Sequence, residues 1–248
     1  MDVCSLEKIV VCDHWEDTDL RSYKADLLYL AQKGLGHFMP LRRDQYKDNA
    51  IQILDFFSGA GGTSLGFASI NSVIPAFEFL GGCDINRVSA ETYAHNFDTP
   101  IINQDIIDLA DDEDRLKALL DSVGYDKKKP IILIGCAPCQ GFTSHRKKRW
   151  SEADDSRNNL VSVFAKIVDY IQPVAFVMEN VPEFLSDRYW HYFSSAKKKY
   201  EDGGYIVKEN IYNAAAFGVP QERFRSIVVG MKKDFLLPEG YLKPSQYH

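Results

Sequence analysis

The sequence has little of what would mark a nucleic-acid coat, a secreted scaffold or a membrane span. Its 29 lysines and arginines are outnumbered by 35 aspartates and glutamates, for a formal charge of −6. No uniformly basic surface can therefore form, and any contact with DNA or RNA must come from a local patch or from another chain. There are five cysteines, an odd count that does not suit a disulfide framework. The opening stretch MDVCSLEKIVVCDHWEDTD lacks the basic start and apolar core of a secretory signal, so reduced thiols and a cytoplasmic location are expected. The uncharged run from Phe56 to Phe77 is long enough to cross a bilayer, but it carries four Gly, four Ser, a Thr, an Asn and a Pro, which excludes a transmembrane helix. Low-complexity tracts and internal repeats are also lacking.

What is present suits one globular α/β domain: 248 residues, 45% of them hydrophobic, can bury a full-sized core. Short apolar runs of strand character fall at Ile51 to Phe57, Ala76 to Cys83, Pro100 to Ile102, Ile131 to Cys136, Val174 to Glu179, Ile206 to Ile211 and Ser226 to Val229. Helical periods lie between them at Thr63 to Ile70, Arg87 to Asn96, Glu113 to Ser122, Leu160 to Ile171 and Arg188 to Glu201. Such alternation predicts a mostly parallel sheet with helices on both faces. Residues 1–49 stand apart as an extension. An amphipathic helix is expected there from Leu20 to Lys33, its apolar face packing on this domain or, as the lesser alternative, on a partner.

Residues able to do chemistry cluster where the strands end. The first strand runs into Ser58-Gly59-Ala60-Gly61-Gly62-Thr63 before a helix, which turns backbone amides toward a ligand. Neither a third glycine (Ser64 stands there) nor a P-loop lysine follows. Asp84 after the second strand and Asp105 after the third place acids at successive carboxyl ends. Together with the glycine turn they describe one crevice, suited to a nucleoside cofactor without phosphates. The fourth strand ends in Cys136-Ala137-Pro138-Cys139-Gln140. This can be read as a redox pair, as half of a zinc site lacking paired partners, or as a single nucleophile, Cys139, held by Pro138. The fifth strand ends Met178-Glu179-Asn180. Glu179, in an apolar context, is a candidate proton donor if desolvated, or else a carboxylate paired with a Lys or Arg. Arg223 and Arg225 lie on the same side of a later extended segment.

In order, DFFSGAGG, GCAPCQGF, DSRNNL, MENV and VPQERFR resemble the motifs of the DNA cytosine-5 methyltransferase family over Ile51 to about Gly230. The resemblance implies a Rossmann-like methyltransferase fold with S-adenosyl-L-methionine as cofactor. It implies cofactor contacts from Phe57, Gly59, Gly61 and Gly62, from Asp84 and Ile85, from Asp105 and Ile106, and from Pro138 and Leu160. Cys139 would be the nucleophile, Glu179 its partner acid and Arg225 the contact to the cytosine carbonyl, with Asn180 and Arg223 supporting the loop geometry. Gln140 and the basic run His145, Arg146, Lys147, Lys148 and Arg149 would touch double-stranded DNA. Some positions depart from the family pattern: Asp84 where Glu is usual, Ile85 where a larger side chain is frequent, Asn158 in place of Gly, and Cys136, taken as a buried bystander thiol. His248 follows Arg225 by 23 residues, whereas family members continue into a target-recognition domain and closing motifs. The expectation is therefore the catalytic subunit of a split, two-chain restriction-modification methylase. Residues 50–248 would be its cofactor-binding and catalytic domain, and a second chain would carry target recognition.

Overall fold

The computed structural model describes residues 50–71, 76–138, 160–187 and 189–233. Seven strands form one sheet in the order β3-β2-β1-β4-β5-β7-β6. They are β1 (Ile51–Phe56), β2 (Phe77–Cys83), β3 (Ile101–Ile102), β4 (Ile131–Gly135), β5 (Ala175–Asn180), β6 (Tyr205–Asn213) and β7 (Phe224–Lys232). The helices are α1 (Gly62–Asn71), α2 (Arg87–Phe97), α3 (Ile106–Asp111), α4 (Glu113–Ser122), α5 (Leu160–Ile171) and α6 (Trp190–Asp202). Strands β3, β2, β1, β4 and β5 pair in parallel, whereas β7 is antiparallel to both β5 and β6. The expected mixed, mostly parallel sheet is present, with a single reversed strand.

Period-two alternation sends neighbouring residues of each strand to opposite faces. In β1, Leu54 and Phe56 join the larger core beneath α3, α4, α5 and α6, while Ile53 joins the smaller one with Ala68, Phe79, Tyr93 and Phe97 from α1, β2 and α2. Helix α5 is apolar on most sides, with Val161, Phe164, Ile167 and Val168 buried. The larger core thus closes over the strand ends where the sequence places its chemistry. Helix starts are capped as their residues predict: Asn86 accepts from the Ser89 N–H, and Asp112 accepts from Asp114 and Arg115. Helix α3 was not anticipated. Its six residues are too few to show a period, and Asp105 is its cap. No described helix is long and apolar enough to cross a membrane. The expected helix from Leu20 to Lys33 lies outside the described residues.

Candidate active site

Two sets of groups lie at the carboxyl ends of the strands. The first surrounds a cavity of about 330 Å³, within the range of small-molecule sites. After β1 the chain turns sharply. Phe57 takes φ +57°, a left-handed backbone that costs a bulky residue energy, and Gly59 and Gly61 follow at φ +53° and +94°. A Cβ on Gly61 would collide with the Phe97 ring, so the turn needs glycine there for space as well as for its dihedral.

Asp84 spans this turn and the start of α2. One carboxylate oxygen accepts from the Gly59 N–H at 2.9 Å and the other from the Asn86 N–H at 2.8 Å. Asn103 fixes the same stretch by donating to the Asp84 and Ile85 carbonyls. Asp105 accepts from the Ile107 N–H at 2.9 Å. A carboxylate oxygen can accept more than one hydrogen bond, so both acids can still receive hydroxyl or amine protons from a ligand.

Eight of the ten expected cofactor residues line the cavity: Phe57, Gly59, Asp84, Ile85, Asp105, Ile106, Pro138 and Leu160. Gly61 and Gly62 stand outside the lining and belong to the turn and the first residue of α1. Cys83, Gln104, Ile107 and Cys136 complete the wall and were missed. Cys83 and Gln104 immediately precede the two acids, so the rule that ligands sit beyond carboxyl strand ends would have found them. Among the described residues the lining carries two acids, several apolar side chains and no Lys or Arg. That donor set suits an uncharged sugar and a flat heterocycle and gives a phosphate no partner.

Cys136, half-buried rather than buried, keeps the inert character expected of it. Besides lining the cavity, its Sγ lies 3.2 Å from Thr63 Oγ1. Burial, and then the charge of Asp55, pushes its thiol up to about 12, so it stays protonated and unreactive.

The second set comes from β5 and β7. Glu179 and Arg225 form an ion pair, Nε to Oε1 at 2.7 Å, with 28% and 25% of the two side chains exposed. Of the two alternatives open for Glu179 from the sequence, the ligand-free geometry shows the paired carboxylate. The antiparallel register of β5 and β7, with Asn180 opposite Ser226, brings the two side chains together. Asn180, 2% exposed, donates to the Ala137 carbonyl at 3.1 Å and accepts from the Val181 N–H. It thereby ties the end of β5 to the segment two residues before Cys139. The Cys136 N–H donates to the Phe56 carbonyl, which ties that segment to β1 as well. Arg223 is exposed, and its backbone is engaged with Asn213 and Ala214. Cys139, Gln140, His145, Arg146, Lys147, Lys148, Arg149 and Asn158 lie outside the described residues.

Comparison with known proteins agrees with this geometry. The family model "C-5 cytosine-specific DNA methylase" matches residues 51–246. The chain is 37% identical over 184 residues to the type II methyltransferase M1.HphI of Haemophilus parahaemolyticus, covering 74% of this chain and 46% of that protein. It is 34% identical over 197 residues to M.XorII of Xanthomonas oryzae, covering 77% and 43%. The chain spans about half the length of the curated relatives it matches. Among solved structures, an Escherichia coli prophage protein assigned as a DNA modification methyltransferase superposes with a TM-score of 0.60 at 29% identity, covering 75% of this chain and 47% of that one. Spodoptera frugiperda DNMT2, at 24% identity and a TM-score of 0.56, shares the fold. The cofactor used by this family is S-adenosylmethionine, and the phosphate-free, two-acid cavity fits it. The chain belongs to the C-5 cytosine-specific DNA methylase family.

Proposed function

We propose that this chain transfers a methyl group from S-adenosylmethionine to C5 of a flipped-out cytosine in double-stranded DNA, with Cys139 as nucleophile. The observation that carries the reading is the Glu179–Arg225 pair. A carboxylate and a guanidinium stand together next to the strand that leads into Cys139, and the cofactor-sized cavity opens at the end of that same strand. When bound, the cofactor supplies an electrophilic methyl group. Asp84 accepts from its ribose hydroxyls and Asp105 from its adenine amine, while Phe57, Ile85, Ile106, Pro138 and Leu160 hold the adenosine.

Cytosine C5 is a weak nucleophile, so the Cys139 thiolate adds first at C6 and pushes electron density toward C5. The base must leave the stack to be reached, at a cost of about a few kcal/mol. Glu179 engages the N3 edge and Arg225 the O2 carbonyl, steadying the everted ring and the charge that develops on it. Asn180, through Ala137, and Arg223 hold the loops in register. Methyl transfer leaves S-adenosylhomocysteine; the C5 proton then passes to a water molecule, and elimination across C5–C6 restores the ring and frees the Cys139 thiolate. Gln140 and the run from His145 to Arg149 contact the DNA backbone.

We propose further that the chain works as the catalytic subunit of a two-chain restriction-modification methylase, target recognition coming from a second chain. Single-turnover transfer of a labelled methyl group, measured on matched DNA and RNA substrates with and without candidate second chains, tests both parts. Transfer to DNA that appears only with a second chain supports the proposal. Transfer to RNA alone replaces DNA by RNA as substrate, and full DNA activity of the isolated chain removes the two-chain part.

A further inference from the structure

Asp55 is the penultimate residue of β1, two before Phe57 in the cavity wall, and the roles proposed above leave it unused. It is 1% exposed. One oxygen accepts from Ser64 Oγ at 2.7 Å, and that hydroxyl lies 3.0 Å from Tyr93 OH. The other oxygen, Oδ1, is buried without a hydrogen-bond partner among the described residues. A carboxylate in that position costs energy unless something cationic or protic compensates it.

The titratable groups facing it from the packed elements do not compensate. From the end of β2 and the residue after it come Cys83 and Asp84, whose charge repels it; from the residue after β4 comes Cys136; from α2 comes Tyr93. The two thiols are themselves pushed up to about 12, so they remain neutral, and no described cation acts on Asp55. Burial, opposed only in part by the Ser64 hydroxyl, pushes the Asp55 carboxyl up to about 7.

We propose that Asp55, which stands behind the cavity wall and outside its lining, is a proton-linked partner of the cofactor site: without cofactor it holds a proton, and binding of the cationic cofactor favours loss of that proton to solvent. This rests on the assignment of the cavity to S-adenosylmethionine, whose sulfonium, ammonium and carboxylate sum to one positive charge, set against a wall that among the described residues holds acids and no Lys or Arg. The balance is one proton released to buffer per protonated chain that binds cofactor, with no other bond made or broken, so the mean release approaches one well below the Asp55 pKa and falls to about half at pH 7. Cofactor affinity therefore rises with pH up to the Asp55 pKa and is flat above it.

Three readouts on the full 248-residue chain test the linkage. Infrared difference spectra of the ligand-free chain should show a protonated-carboxyl band that titrates near neutral pH and is lost in Asp55→Asn. Isothermal titration calorimetry with S-adenosylmethionine should give about tenfold tighter binding at pH 8 than at pH 6, as a group titrating at about 7 requires. At pH 7, in buffers of different ionisation enthalpy, it should also report about half a proton released. In Asp55→Asn the affinity should be nearly independent of pH, with proton release close to zero. A wild-type affinity that is flat from pH 6 to 8, or a release that survives in Asp55→Asn, overturns the proposal. Should the infrared band be present while neither chain binds S-adenosylmethionine even with a candidate second chain added, the cofactor assignment fails and the linkage with it.

Discussion

The two ends of the site are built on different principles. At the cofactor end, Asp84 and Asp105 are held by backbone N–H groups and by strand ends that the parallel pairing fixes. At the base end, Glu179 and Arg225 are held chiefly by each other and keep about a quarter of their side-chain surface in water. The first arrangement is pre-organised: a ligand adds hydrogen bonds without breaking any. In the second, an incoming base must share or replace an existing ion pair. A largely buried pair of this kind must repay the desolvation of both charges and is weak evidence for stability, so its place at the strand ends is better understood through function than through folding.

Mutations that strike the two ends separately sharpen this contrast. The largest effect is expected at the base end. Arg225→Ala leaves Glu179 without its cation and the cytosine carbonyl without its donor, and should lower the single-turnover methyl-transfer rate by about 10²–10³ with little change in cofactor affinity. At the cofactor end, Asp84→Asn removes a charged acceptor and should weaken S-adenosylmethionine binding roughly 10- to 100-fold, the worth of about 1.5–3 kcal/mol for a hydrogen bond to a charged group. Saturating cofactor should restore the rate, and that split is read by calorimetry beside single-turnover kinetics.

Asn180→Ala tests the link between the ends. It strips the buried Ala137 carbonyl and Val181 N–H of partners and should cost about 1–3 kcal/mol in urea unfolding, with a lowered transfer rate because the segment leading to Cys139 loses an anchor. The smallest effect concerns approach to DNA. Neutralising Arg146, Lys147 and Lys148 should flatten the salt dependence of DNA binding by roughly one unit of log–log slope per lost phosphate contact, while an unchanged slope removes the basic run from the interface.

Much of this architecture was legible in the sequence because it depends on local signals. Helices α4 and α5 begin and end where their apolar period does, and the acids after β2 and β3 follow short apolar runs. The insertion of β7, antiparallel, between β5 and β6 was not legible, because strand pairing is a long-range choice that no window of residues encodes. That choice brings Arg225 onto Glu179, which is why a proton donor in an apolar setting seemed as reasonable as the ion pair. Asp55 was hidden for a related reason. A single acid in an apolar strand end reads as a cap or a solvated group until the packing of α1 and α2 shows that it is buried. The wall positions Cys83 and Cys136 also belong to or pack against the two cores, and only the cavity at the strand ends marks them as wall.

The central claim is that one thiol bonds to C6 of the target base, and denaturing-gel trapping on DNA containing 5-fluorocytosine tests it most directly, with S-adenosylmethionine and any required second chain present. The account predicts a covalent protein–DNA band with the wild-type chain that disappears in Cys139→Ser and persists in Cys136→Ala. A band that survives Cys139→Ser, or methylation without any adduct, would contradict it.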